Sequence, residues 1–149
     1  MYRATLISNY LINYTPILKD EDINKYLEKV IPHTGGRYYK EDIIEALHSD
    51  AMHLWIAFDE DNEKIDGIVV THFTVYPRKK ALTILLCAGE KLNNWYDVML
   101  KQLEDFAKVN SCNLISSGGR KGWVRRMKKD GFKQSFFIAE KELIGGSHG

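Results

Sequence analysis

Cysteine and proline are scarce in this chain of 149 residues, which holds two of the first and three of the second. Cys87 and Cys112 stand 25 residues apart, with no Cys-x-x-Cys pair and no cluster of histidines around them. That spacing argues against a disulfide framework and a structural zinc site, so no metal is expected. Long apolar runs are missing too. The longest, from Ala81 to Ala88, is broken by Thr83 and falls far short of the roughly 20 residues a membrane span needs. The first nine residues lack the unbroken apolar stretch of a signal peptide, so a soluble, cytoplasmic protein is expected. Net charge is nearly absent: 21 Lys and Arg against 20 Asp and Glu leave +1, which argues against nucleic-acid or membrane binding through global charge.

The remaining composition is ordinary, with 44% hydrophobic and 28% charged residues. A chain of this length buries about 68–70% of the surface its unfolded form exposes and can fold without staples. One domain over residues 1–144 is expected, followed by a flexible tail, 145–149, of Gly, Ser and His.

Hydrophobic period locates the elements. The stretch from Leu6 to Tyr14 is apolar and fits either a strand or a helix. Ile23, Tyr26, Leu27 and Val30 recur at helical spacing behind the acids Asp20, Glu21 and Asp22, which suit the positive end of a helix. A second helix is expected from Lys40 to His48. The period then changes to that of strands, from His53 to Phe58, Gly67 to Tyr76 and Ala81 to Ala88. Short connections between them predict an antiparallel meander with the third strand in mid-sheet. Trp95, Val98, Met99, Leu103 and Phe106 form the clearest helical stripe. A short strand from Cys112 to Ser116, a short helix from Lys121 to Lys129 and a strand from Phe132 to Leu143 complete the order.

That order resembles the GNAT acyltransferase fold, and most of all the small GNAT-like proteins of tailed bacteriophages. The resemblance is carried by residues 35–43 (GGRYYKEDI), Leu54 with Trp55, the run Tyr76, Pro77 and Arg78, residues 119–123 (GRKGW), and Gly131 with Phe132. It implies an α+β fold, a mixed and mostly antiparallel central sheet flanked by helices, with splayed central strands. It also implies acetyl-CoA as the donor and a primary amine as the acceptor. Backbone of Leu85, Leu86 and Cys87 would hold the acyl group, and Gly89, Lys91, Asn93, Asn94 and Arg120 would lie around the phosphates. The family's Arg/Gln-x-x-Gly-x-Gly/Ala loop is degenerate here. Lys91 stands at the Arg/Gln position, while Asn94 and Tyr96 replace the glycines, Tyr96 placing a ring where clearance is needed.

The acid–base chemistry falls to His72 on the second meander strand or Glu90 after the third, either of which could face the cleft. Each also has a plainer reading: His72 as a satisfied structural histidine, Glu90 as a solvated loop acid. Cys87 reads as a small core residue. The charge balance hides one asymmetry. Residues 120–133 hold seven Lys or Arg against Asp130, which is +6 locally and −5 for the rest. This stretch reads as a solvated helix face, as a seat for an anionic ligand, or as a surface for an acidic protein partner. With only Trp123 and Phe132 as aromatics, it argues against single-strand binding by base stacking and disfavours nucleic acid as a partner. Two functions besides the enzyme therefore remain: a catalytically inactive GNAT-fold phage protein in virion assembly or host-protein interaction, placed in the host cytoplasm or the virion, and a nucleic-acid module.

Overall fold

The structure, a computed structural model, describes residues 1–118, 127–133 and 138–143. It falls into two compact units, Met1–Gly118 and Gly119–Gly149. The tail 145–149 lies outside the described residues.

In the first unit, β1 (Tyr2–Ile7) leads directly into α1 (Asn9–Tyr14). The stretch read as either strand or helix is thus both. Ser8 makes the junction, because its hydroxyl accepts from the Leu11 N–H at 3.2 Å and starts the helix. A 3-10 turn at Ile17–Lys19 precedes α2 (Glu21–Val30), which Asp20 caps by accepting from the N–H groups of Asp22 and Ile23. After a second 3-10 turn, Ile31–Thr34, comes α3 (Lys40–His48). The meander follows as β2 (His53–Asp59), β3 (Ile65–Val75) and β4 (Lys80–Gly89), then α4 (Leu92–Val109) and β5 (Leu114–Ser117).

The five strands form one sheet in the order β1-β2-β3-β4-β5. Pairing is antiparallel throughout except between β4 and β5, which run parallel because α4 carries the chain back across the sheet. Strand alternation sends one set of side chains toward α2 and α3. There Ile23, Leu27, Ile43, Leu47, Leu54, Ile68, Val70 and Leu86 pack as a continuous aliphatic core. The other set meets α4, whose buried stripe is Trp95, Tyr96, Met99, Leu100, Leu103 and Ala107. Gly67 is required on that side: a Cβ there would lie 2.3 Å from the Trp95 ring.

In the second unit, Lys128–Asp130 forms a 3-10 turn closed by Gly131 in the left-handed region, φ 89°. This is the end of the expected last helix, of which 121–126 lie outside the described residues. Of the expected last strand, residues 134–137 also lie outside, and 132–133 and 138–143 are not in strand.

Candidate functional site

The functional geometry is built on β4. Its first half pairs with β5 from Ala81 opposite Leu114 to Ile84 opposite Ser117, and there the pairing ends. Residues 85–89 continue along β3 as far as the Gly67–Gly89 pair, but their other edge meets no strand among the described residues. Five residues leave an open edge of roughly 16 Å. The fork coincides with a register shift: Val70 pairs with Leu86 and Thr71 with Ile84, so Leu85 is one residue extra on β4. Such a bulge takes a residue out of the ladder and re-aims its backbone. Among the described residues β5 ends at Ser117, opposite Ile84, and residues 119–126, which follow it, lie outside them.

His72 lies beside this fork. It is half-buried, opposite Thr83, and its Nδ1 is 3.3 Å from the Phe73 carbonyl oxygen. Glu90 lies elsewhere, past the far end of β4. Seven residues of strand separate it from Thr83, roughly 20 Å. Its carboxylate approaches Lys25 of α2 at 3.9 Å and Lys64 of the β2–β3 turn at 3.7 Å. The two base candidates are thus not brought together.

The candidates for holding a donor divide in the same way. Leu86 is buried in the aliphatic core, and Leu85 and Cys87 are half-buried at the open edge. Packing around the Cys87 thiol pushes it up to about 12, which removes it as a nucleophile near neutral pH. Gly89 serves the sheet, since a Cβ there would lie 2.4 Å from the Asp66 carbonyl oxygen. Lys91 is exposed and left-handed, with φ 56°, and Asn93 and Asn94 lie exposed in the first turn of α4. Tyr96 does not stand over the helix entrance as the sequence led us to expect. Because α4 begins at Leu92, Tyr96 falls in the buried stripe and is only 5% exposed. Arg120 lies outside the described residues, as do Lys121, Arg125 and Arg126 of the basic stretch, while Lys128, Lys129 and Lys133 are exposed.

Two polar clusters on the α4 side escaped sequence reasoning. In one, the Thr71 hydroxyl accepts from Trp55 Nε1 and bonds His53 Nδ1, both at 2.9 Å. Phe106 and Phe73 close edge-on around the His53 ring. Burial holds the pKa of His53 below its ordinary value. In the other, the Tyr2 hydroxyl donates to Asp66 at 2.7 Å, and Asp66 is 1% exposed. That bond is the first cause that raises the Tyr2 pKa, and Tyr2 also bonds the Asn94 side chain. The available signals were His53 and Trp55 sharing one strand face, and an acid immediately before Gly67.

An acyl-CoA fits this site in part. Its amide-bearing arm suits the open edge of β4, where it would pair as a peptide strand does. Its pyrophosphate does not suit the entrance of α4, where the connection from β4 is only Glu90 and Lys91 and a carboxylate occupies the approach.

No protein-family model matches the chain, and no curated protein matches it in sequence. Solved structures do. A predicted acetyltransferase from Clostridium acetobutylicum, solved with acetyl-CoA, superposes with a TM-score of 0.63 at 19% identity, covering 99% of this chain and 100% of that one. A GNAT family acetyltransferase from Staphylococcus aureus gives 0.61 at 17%, covering 95% and 98%. An aminoglycoside acetyltransferase from an uncultured soil metagenomic sample, in complex with trehalose, gives 0.64 at 11%, covering 95% and 96%. At these identities the likeness concerns architecture. The chain has the α+β fold of the GNAT acetyltransferases.

Proposed function

We propose that this protein is an acyltransferase of the GNAT type, taking an acetyl group from acetyl-CoA or a related pantetheine thioester and passing it to a primary amine. The observation that carries the reading is the end of the β4–β5 pairing at Ile84, with the Leu85 bulge directly after it. An acyl oxygen seated there meets backbone N–H groups of the 85–87 stretch, and donors fixed in advance are what a developing oxyanion needs. His72, beside the fork, is the base for the amine proton. Glu90 is too far along β4 to share that task and is assigned the charge balance of Lys25 and Lys64. The acetyl-CoA complex of the Clostridium structure supports the class of donor.

Calorimetry and a melting-temperature scan with acetyl thioesters test the reading, together with thiol release in the presence of primary amines. Binding is expected, and His72→Gln is expected to lower turnover about 100-fold with donor affinity kept. Absence of heat and of any melting shift with every acetyl thioester overturns it. A second reading, a non-catalytic GNAT-fold protein that engages an acidic protein partner, is favoured by the basic stretch at 120–133. It predicts binding that weakens with salt and with Lys128→Glu plus Lys129→Glu.

A further inference from the structure

The two halves of the donor site differ in what they offer. A pyrophosphate is held at a helix entrance by free amide N–H groups and by glycines that let backbone come close. Here β4 ends at Gly89 and α4 begins at Leu92, so no loop is available to wrap a phosphate. Two of the amides are already committed: the Glu90 N–H donates to the Asp66 carbonyl at 2.7 Å, and the Asn94 N–H to the Lys91 carbonyl at 2.8 Å. Lys91 makes the reversal in a single left-handed residue. The space beside Gly89 is filled by β3 backbone.

Charge adds to the mismatch. The Glu90 side chain stands 49% exposed at the approach, and it already balances Lys25 and Lys64. Asp66 lies buried close by, held by Tyr2, which is bonded to Asn94 of the first helical turn. A pyrophosphate seated there would compete with the Glu90 carboxylate for Lys25 and Lys64, and the connection itself adds Lys91 as its cation. Among the described residues, the edge at 85–89 carries no such conflict. It offers five residues of backbone to an arm with two secondary amides, and the Leu85 bulge marks where its thioester end would lie.

From this we infer that the donor is recognised through its pantetheine arm and not through its nucleotide: the substrate class is an acyl-pantetheine thioester whose carrier makes no productive contact with the α4 entrance. The inference rests on the acyltransferase reading. It leaves two sources for the arm, free acyl-CoA or a phosphopantetheinylated carrier protein, and these share the recognised chemistry.

The test titrates the full chain with S-acetyl-pantetheine, acetyl-CoA and 3′-phospho-ADP in parallel. S-Acetyl-pantetheine and acetyl-CoA are expected to bind within about threefold of each other, and 3′-phospho-ADP at millimolar concentration is expected to leave the melting temperature unchanged. Acetyl-CoA binding about 30-fold or more tightly than S-acetyl-pantetheine, or a clear shift with 3′-phospho-ADP, overturns the inference while leaving the acyltransferase reading intact. If neither thioester binds, the acyltransferase reading falls and the inference with it. An acetylated phosphopantetheinyl carrier protein as a third donor separates the sources. Use about tenfold better than acetyl-CoA assigns a protein-borne arm, and equal use assigns a free one; both support recognition through the arm.

Discussion

The two faces of the sheet are held to their helices in different ways. Toward α2 and α3 the contacts are aliphatic, and the Tyr26 hydroxyl donating to the Ile65 carbonyl at 3.3 Å is a polar bond within them. Toward α4 the packing is aromatic and hydrogen-bonded: Trp55, His53, Phe73 and Phe106 enclose the Thr71 hydroxyl, and Trp95 Nε1 donates to the Glu90 carbonyl at 2.7 Å. An aliphatic face tolerates small shifts, because dispersion and burial are not directional. A hydrogen-bonded face fixes position, because each buried donor must find its acceptor. The stricter face is the one beneath the fork, since Thr71 pairs with Ile84 at the point where β4 bulges and its described pairing with β5 ends.

Adjacent residues of β2 measure that difference. Leu54 points to the aliphatic face and Trp55 to the α4 face, and both are almost wholly buried. Trp55→Ala is expected to cost the most, about 4 kcal/mol, since it removes the largest side chain of that face and a donor to Thr71. Leu54→Ala is expected to cost about 3 kcal/mol, by burial and cavity alone. Urea unfolding of both variants checks the order. Equal costs would mean that the hydrogen bond beneath Trp55 adds nothing to packing.

The sequence revealed these faces unevenly. The cores of β2, β3, β4 and α4 were legible because apolar residues recur over long enough spans to fix a period. β1 was not, because Tyr2–Ile7 is a short edge strand whose exposures alternate irregularly before Ser8 turns the chain into α1. At the site, β4 could be read as a buried strand, but its bulge is a property of register and appears only when β3 and β5 are laid beside it. His72 and Glu90 looked equivalent as bases, since nothing local says that one sits at the fork and the other beyond the strand's far end. Tyr96 departs from its expected place for a simpler reason: α4 starts at Leu92, three residues before Trp95 at the head of its apolar stripe. His53 was passed over because its burial depends on Phe106, 53 residues later in the chain.

Smaller changes at Thr71 sharpen the comparison without opening a cavity. Thr71→Val keeps the shape and removes the hydroxyl, leaving Trp55 Nε1 and His53 Nδ1 without that partner. The expected cost is about 2 kcal/mol, with Thr71→Ser recovering most of it. Because Thr71 lies opposite Ile84, the same variant is expected to weaken binding of an acetyl thioester at the open edge, whereas Leu54→Ala leaves it unchanged. Parallel calorimetry on the two variants decides whether the polar face positions the fork or merely stabilises the sheet.

The smallest effect expected is a dependence on pH carried by His53. Burial lowers its folded-state pKa below the ordinary 6.5, with Asp50 opposing and His72 adding to the shift. The unfolded chain therefore binds the proton more readily than the folded one. Stability from this group is complete above about pH 6.5 and is lost as pH falls through the folded value. Asp59 titrates in a different window: an N–H from Asp61 lowers its pKa from 3.8, so its contribution is lost only in stronger acid. Melting between about pH 7.5 and about pH 5 thus keeps the Asp59 titration out of the comparison. The native chain is expected to lose more stability over that interval than His53→Gln, whose amide can still bond Thr71 but takes up no proton. Identical slopes would show that the α4 face does not sense protonation at His53.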